Sequence, residues 1–177
     1  MAIRVIFLNG GSSSGKTGIA RCLQALLQDP WLALSVDTFV DALPAALRDS
    51  EEGLDIAQDG TIGVGAGFRE LETAWMAGVA AMVHAGARVV LDDVFLGGAD
   101  SQKRWQRALD GTDVLWIGVR CAPDVAAGRE LARGDRVVGM AEAQAELVHR
   151  GVAYDLEIDT ARTESMECAR RIAARLG

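Results

Sequence analysis

The densest chemistry in the chain lies in eight consecutive residues, Gly10-Gly11-Ser12-Ser13-Ser14-Gly15-Lys16-Thr17. Their spacing is G-x-x-x-x-G-K-[ST], without gap or substitution. Gly10 and Gly15 let the backbone turn tightly, so that successive N–H groups converge on phosphate oxygens. Lys16 carries a mobile positive charge toward the β- and γ-phosphates, and Thr17 offers a hydroxyl oxygen suited to Mg²⁺. All eight residues are therefore expected to bind ATP, with Lys16 also acting in catalysis and Thr17 also ligating the metal. Of the 18 cationic residues only Lys16 and Lys103 are lysines, so Lys16 does not come from a lysine-rich background.

Three further groups could complete a phosphoryl-transfer site. Asp37 follows the apolar run Leu32 to Val36, where a carboxylate can take the proton of, or orient, an attacking hydroxyl. Asp is also a favoured helix N-cap, and a helix is expected from Phe39 to Leu47, so both roles stand. The run Arg88-Val89-Val90-Leu91 ends in Asp92-Asp93. Asp92 is expected to serve Mg²⁺ and the acceptor. Asp93 is expected to orient the acceptor or hold the loop, and Phe39 and Phe95 to face the acceptor pocket. Arg129, Arg133 and Arg136 are spaced four and three apart, which puts them on one helical face beside Gly134 and Gly139. That is what a hinged lid near 128–139 needs, with Arg133 and Arg136 neutralising transferred charge and Arg133 also holding nucleotide. The competing reading is a solvated face paired with Glu130 and Asp135.

The elements around these residues alternate. Ile3 to Leu8 reads as a buried strand. Gly18 to Leu27 has helical spacing, with Ile19, Cys22, Leu23, Leu26 and Leu27 on one face. Leu32–Val36, Arg88–Val94, Asp113–Val119 and Tyr154–Asp159 supply four more strands. Helices are expected at Phe68–Ala85, Ser101–Leu109, Val125–Ala132, Ala141–His149 and Ser165–Leu176. Between Ser50 and Gly67 the chain is polar and glycine-rich, and pieces such as Thr61-Ile62-Gly63-Val64 suggest a small hairpin or flap. Strands alternating with helices make an α/β fold, a five-stranded parallel sheet covered on both faces. Ligands of such sheets sit at the carboxyl ends of strands, where the loop, Asp37 and Asp92 all fall. By analogy with nucleoside monophosphate kinases and shikimate kinase, the expected strand order is 2-3-1-4-5, a nucleotide-kinase-like P-loop fold.

The 177 residues suit one domain. The net charge of −7 argues against nucleic acid as a main partner, while a local nest of amides can still hold phosphate. Cys22, Cys121 and Cys168 are widely spaced and form no C-x-x-C pair, which reads as reduced thiols. With no leader pattern and no apolar run of about 18 residues, a cytoplasmic protein away from membranes is expected.

Beyond the phosphate loop, which many families share, the chain resembles the chloramphenicol phosphotransferase family along its whole length. The residues that carry the likeness are Leu8-Asn9-Gly10-Gly11-Ser12-Ser13, Ser35-Val36-Asp37, Leu91 to Gly98, Asp113 to Cys121 and Gly128 to Val137. The resemblance implies ATP-dependent phosphorylation of the primary hydroxyl of chloramphenicol, and with it antibiotic resistance. It implies that Asp37 accepts the hydroxyl proton, that Gly10 to Thr17 bind the ATP phosphates and that Asp92 sits near metal and acceptor. It also implies that Arg133 and Arg136 are lid residues and that the protein is tetrameric. The chain departs from the family pattern mainly between Asp41 and Gly67. Two alternatives remain: a P-loop kinase for another hydroxylated molecule (another antibiotic, a sugar acid or a nucleoside), and an ATP-binding regulatory module without transfer. An aromatic acceptor would want apolar walls, for which Trp31, Phe39, Phe68, Trp75 and Phe95 are candidates. A carboxylate acceptor would want Arg48 or Arg69.

Overall fold

Successive residues of a strand point to opposite faces, and that period builds the centre of the molecule. In β1 (Val5–Asn9), Ile6 and Leu8 point one way and Val5 and Phe7 the other, all four fully buried. A strand apolar on both faces belongs inside a sheet covered on both sides. The computed structural model describes residues 2–48, 50–57, 61–134 and 139–176, and this is what it shows.

After β1 come α1 (Lys16–Leu26), β2 (Trp31–Ser35), α2 (Val36–Ala42) and α3 (Ala45–Arg48). A short antiparallel hairpin follows, β3 (Leu54–Ile56) and β4 (Ile62–Val64), then α4 (Ala66–His84), β5 (Arg88–Asp93) and α5 (Ala99–Ala108). The chain continues through β6 (Val114–Arg120), α6 (Pro123–Arg133), α7 (Met140–Leu147), β7 (Leu156–Asp159) and α8 (Ser165–Ala173). The five-stranded sheet is parallel, in the order β2-β5-β1-β6-β7. Counted among the strands of this sheet alone, that order is 2-3-1-4-5. The hairpin strands merely advance the labels.

One face of the sheet buries Ile6, Leu8, Val90 and Ile117 against Ile19 and Leu23 of α1 and Cys168 and Ile172 of α8. The other buries Val5, Phe7, Val89 and Leu91 against Met76, Val79 and Val83 of α4 and Trp105 of α5. A third, smaller cluster of Phe39, Leu43, Leu54 and Phe68 ties α2 and the hairpin to α4. Among the described residues no helix is long and apolar enough to cross a membrane.

Two local features differ from the sequence expectation. The helix expected over Phe39–Leu47 is two short helices. Pro44 cannot continue the first, and Leu43 before it is extended, as residues preceding proline are. The first also starts earlier, and its N-cap is Ser35, whose side chain accepts the Thr38 N–H at 3.1 Å. Asp37 is therefore not the cap.

Candidate active site

Strand register assembles the site. Ser35 of β2 pairs with Asp92 of β5, and Asp92 pairs with Leu8 of β1. Three strand ends are thereby level, and Asp37, Asp92 and the loop from Gly10 emerge side by side at the carboxyl edge. The loop shows why its residue types matter. A Cβ at Gly10 would lie 2.6 Å from the Val119 carbonyl oxygen, and Gly15 has φ of 93°. Only glycine meets both demands cheaply. Ser13 adopts φ of 56°, a left-handed conformation unusual for a side-chain-bearing residue. Such strain persists where surrounding contacts hold it, and it clusters at ligand clamps. Among the described residues the buried hydroxyls of Ser13 and Ser14 have no hydrogen-bond partner, which leaves polar groups in the loop for a ligand to meet.

Lys16 is 7% exposed, and its Nζ donates to the carbonyls of Gly10 and Gly11 at 2.8 and 2.9 Å. The same nitrogen lies 3.6 Å from Asp92 Oδ1. Thr17 Oγ1 donates to Asp92 Oδ2 at 3.0 Å. Burial pushes the Asp92 carboxyl above its ordinary range. Lys16 and the Thr17 hydroxyl pull it back, and the nearby Asp37 charge adds a smaller upward push. Lys16, Thr17, Asp37, Asp92 and Arg133 all line one cavity. Its other walls are Val36 and Val40 of α2, Leu54, Ile56 and Ile62 of the hairpin, Phe68 of α4, and Val94 and Leu96 after β5. One end of the cavity is charged and its walls are mainly aliphatic.

Three expected pocket residues are elsewhere. Asp93 shares the strand face of Leu91, so it points away from α1 and into the layer beneath α4 and α5. There it accepts from Trp105 Nε1 at 2.7 Å and from the Val94 N–H at 2.7 Å. Burial raises its carboxyl to about 6. Phe95 is fully buried in the same layer, with ring centroids 5.1 Å from Phe7 and 6.4 Å from Trp116. Phe39 packs on Phe68 and Trp75 and leaves the cavity wall to Val36 and Val40. Period-2 alternation after Asp92 would have placed Asp93 correctly. Neither Trp31 nor Trp75 lines the cavity. Of the arginines considered for a carboxylate acceptor, Arg48 donates to the Leu43 carbonyl and Arg69 pairs with Glu72 at 2.8 Å.

The arginine segment divides. Arg133 reaches the cavity, whereas Arg129 turns into the body. Its guanidinium donates to the Thr160 carbonyl at 2.7 Å and to the Thr160 hydroxyl at 3.2 Å. The Thr160 hydroxyl donates to the Ser14 carbonyl at 2.7 Å, so Arg129 braces the phosphate loop. Arg136 and its neighbours 135–138 lie outside the described residues. Glu130 pairs with no arginine of this segment that the structure describes. It is 2% exposed, and its two oxygens accept the Gly139 and Ala141 N–H groups at 2.8 Å each, capping α7. The sequence presents Glu130 only as an ion-pair partner and gives no role to Gln144, whose Oε1 accepts the Ser12 N–H at 2.8 Å. The available signal was a polar side chain on an inward beat: Glu130 lies four residues after buried Ala126, and Gln144 lies between buried Ala141 and Ala145.

Asn9, just before the loop, is also a positioning residue. Its Nδ2 donates to the Val148 carbonyl at 2.8 Å and to the Tyr154 hydroxyl at 2.6 Å, and its Oδ1 accepts the Phe95 N–H at 2.9 Å. The Tyr154 hydroxyl has one proton, and His149 Nδ1 lies 2.6 Å away to accept it. A neutral His149 is thus built in. Burial, helped by the Arg120 charge, lowers its pKa from 6.5 to about 4. The stability contributed by neutral His149 is complete above pH 6.5 and is lost as pH falls through that window, because the unfolded chain takes up the proton first. The melting temperature of His149→Gln, which keeps an acceptor for Tyr154, should fall less between pH 6.5 and pH 4 than that of the wild type. Parallel curves would show that the histidine protonates as easily in the fold as outside it.

Comparisons with known proteins bear on the fold and the family. Two proteins of Mycobacterium tuberculosis, which carry the provisional name O-phosphotransferase, are each 31% identical over 185 residues, covering 96% of this chain and 80% of theirs. Among solved structures, a sugar kinase from Janibacter superposes with a TM-score of 0.68 at 17% identity, covering 97% of this chain and 93% of that one. Shikimate kinase from Acinetobacter baumannii gives 0.67 at 17%, covering 98% and 92%. The tunicamycin resistance protein of Deinococcus radiodurans gives 0.66 at 20%, covering 98% and 95%. At such identities these structures establish the P-loop kinase fold alone. The model of the family described as chloramphenicol phosphotransferase-like protein matches residues 3–177. The chain therefore belongs to the chloramphenicol phosphotransferase-like family, enzymes that transfer phosphoryl groups to oxygen.

Proposed function

We propose that this enzyme transfers the γ-phosphoryl group of ATP to the primary hydroxyl of chloramphenicol, and that resistance to the antibiotic follows. The observation that carries this reading is the cavity in which Lys16, Thr17, Asp37, Asp92 and Arg133 converge while aliphatic walls extend beside them. Among the described residues, the only cationic side chains lining it are Lys16 and Arg133, which belong to the phosphate end. A neutral, largely apolar acceptor suits such walls, and a sugar acid does not.

In the reaction, Gly10 to Thr17 hold the nucleotide phosphates, with the N–H groups and Lys16 facing the charge. The acceptor hydroxyl oxygen attacks the γ-phosphorus, its proton goes to Asp37, and ADP leaves. Arg133 and Arg136 form the lid that offsets the negative charge on the transferred group. Little covalent help is needed in a loose transition state, so these residues act mainly through position and charge. The paired Thr17 hydroxyl and Asp92 carboxylate form a hard oxygen donor set of the kind Mg²⁺ takes beside nucleotide phosphates. When bound there, Mg²⁺ supplies charge neutralisation at the phosphate oxygens.

The test is ADP release by purified protein with Mg·ATP, with and without chloramphenicol, followed by mass analysis of the product. Stimulated release together with the O-phosphorylated drug is the expected result. ATP binding without stimulation would remove chloramphenicol as acceptor, and a panel of neutral hydroxylated compounds would then identify another. The absence of acceptor-dependent turnover with every compound would favour a regulatory module.

A further inference from the structure

The Ser12 N–H is one of the loop amides expected to face phosphate, and it is held by Gln144 at 2.8 Å. An N–H can be accepted only by the oxygen of a carboxamide, so the side-chain NH₂ of Gln144 is directed away from Ser12. Gln144 is 3% exposed and shares the cavity lining with Asp37 and Arg133. A second groove shares Ser13, Gly15, Gly18 and Arg133 with this cavity and adds Arg129 and Thr160, but Ser12, Asp37 and Gln144 line only the first. Gln144 therefore meets the loop on its acceptor side, where the group to be transferred lies in the reading proposed above, on which this inference rests.

The Glu130 side chain connects the helix of Gln144 to that of Arg133. Gln144 sits on α7, one turn after the Gly139 and Ala141 amides that Glu130 holds. Glu130 in turn lies one turn before Arg133 at the end of α6. A shift of the Gln144 side chain therefore acts on a helix whose first turn is clamped to the element carrying Arg133.

We infer that Gln144 is a positioning residue that senses the γ-phosphate. A terminal phosphate seated at the acceptor end of the loop competes for the Ser12 N–H. A carboxamide that yields this N–H can turn its NH₂ to a phosphate oxygen, since one side chain carries both an acceptor and a donor. The resulting movement of α7 reports the phosphate, through Glu130, to α6 and Arg133. A diphosphate, which ends deeper on the loop, leaves the Ser12–Gln144 bond in place.

The experiment measures the dissociation constants of Mg·ATP and Mg·ADP for the wild type, Gln144→Glu and Gln144→Met, with a thermal melt of each to establish folding. Glutamate still accepts the Ser12 N–H but offers no donor and opposes the γ-phosphate charge. It should weaken ATP about tenfold or more while ADP changes little. Methionine removes both the donor and the strong acceptor without adding charge and should lower discrimination between ATP and ADP severalfold. If glutamate prevents folding, the methionine variant decides. Equal changes for ATP and ADP, or none for either, would overturn the inference and leave Gln144 as a structural brace. Failure of the wild type to bind Mg·ATP would instead overturn the phosphate-loop reading, and this inference with it.

Discussion

Replacing Asp37 by Asn lowers turnover roughly a hundredfold or more, the range for loss of an acid–base group, and leaves Mg·ATP affinity nearly unchanged. The geometry sets both halves of this expectation. Asp37 lies in the first turn of α2, behind a cap provided by Ser35, so the fold does not need its carboxylate as the helix cap. It lines the same cavity as the phosphate loop and the aliphatic walls, where the proposed reaction brings the acceptor hydroxyl. Asparagine keeps the size and an acceptor oxygen but cannot take a proton at neutral pH. Steady-state turnover at saturating ATP and acceptor, together with ATP titration calorimetry, measures the two quantities. Near-wild-type turnover would remove Asp37 from the mechanism. A large loss of ATP affinity would place it on the nucleotide instead.

Replacing Lys16 by Ala should reduce turnover by about 10² to 10³-fold, the loss typical of one preorganised group facing transition-state charge, and should also weaken ATP binding. Lys16 is held between two loop carbonyls and Asp92, so its charge is already aimed at the phosphate end. Its removal has a second consequence. Asp92 is buried and depends on the Lys16 charge and the Thr17 hydroxyl to offset desolvation, so the alanine variant raises the Asp92 pKa further and weakens its anionic form. Thr17→Ala would weaken the same carboxylate by a different route, which makes the pair of variants informative. If Lys16→Ala left both turnover and ATP affinity intact, the phosphate-loop reading itself would fail.

What could be read from the chain alone was local or periodic. The phosphate loop is contiguous, and its backbone demands are written in Gly10 and Gly15, so the motif announced its own geometry. The five strands were visible as apolar runs, and alternation with helices gave a parallel sheet, whose order came from analogy with nucleoside monophosphate kinases and shikimate kinase. The ends of those runs placed Asp37 and Asp92 beside the loop because parallel strands present their carboxyl ends at one edge.

The tertiary structure decided which way side chains face and which distant residues meet. Asp93 and Phe95 follow Asp92 closely in sequence but belong to the opposite layer, where Trp105 and Phe7 receive them. Phe39 went to the cluster beneath the hairpin because a helix turns its successive residues to different sides. Arg129 turned from the expected arginine face to Thr160, and Glu130 caps a helix that begins ten residues later. Asn9 and Ser12 meet partners separated from them by 139 and 132 residues. No periodicity or spacing encodes such pairs. They form because packing the helices on the sheet buries backbone N–H and carbonyl groups next to the loop, and a buried polar group must find a partner there.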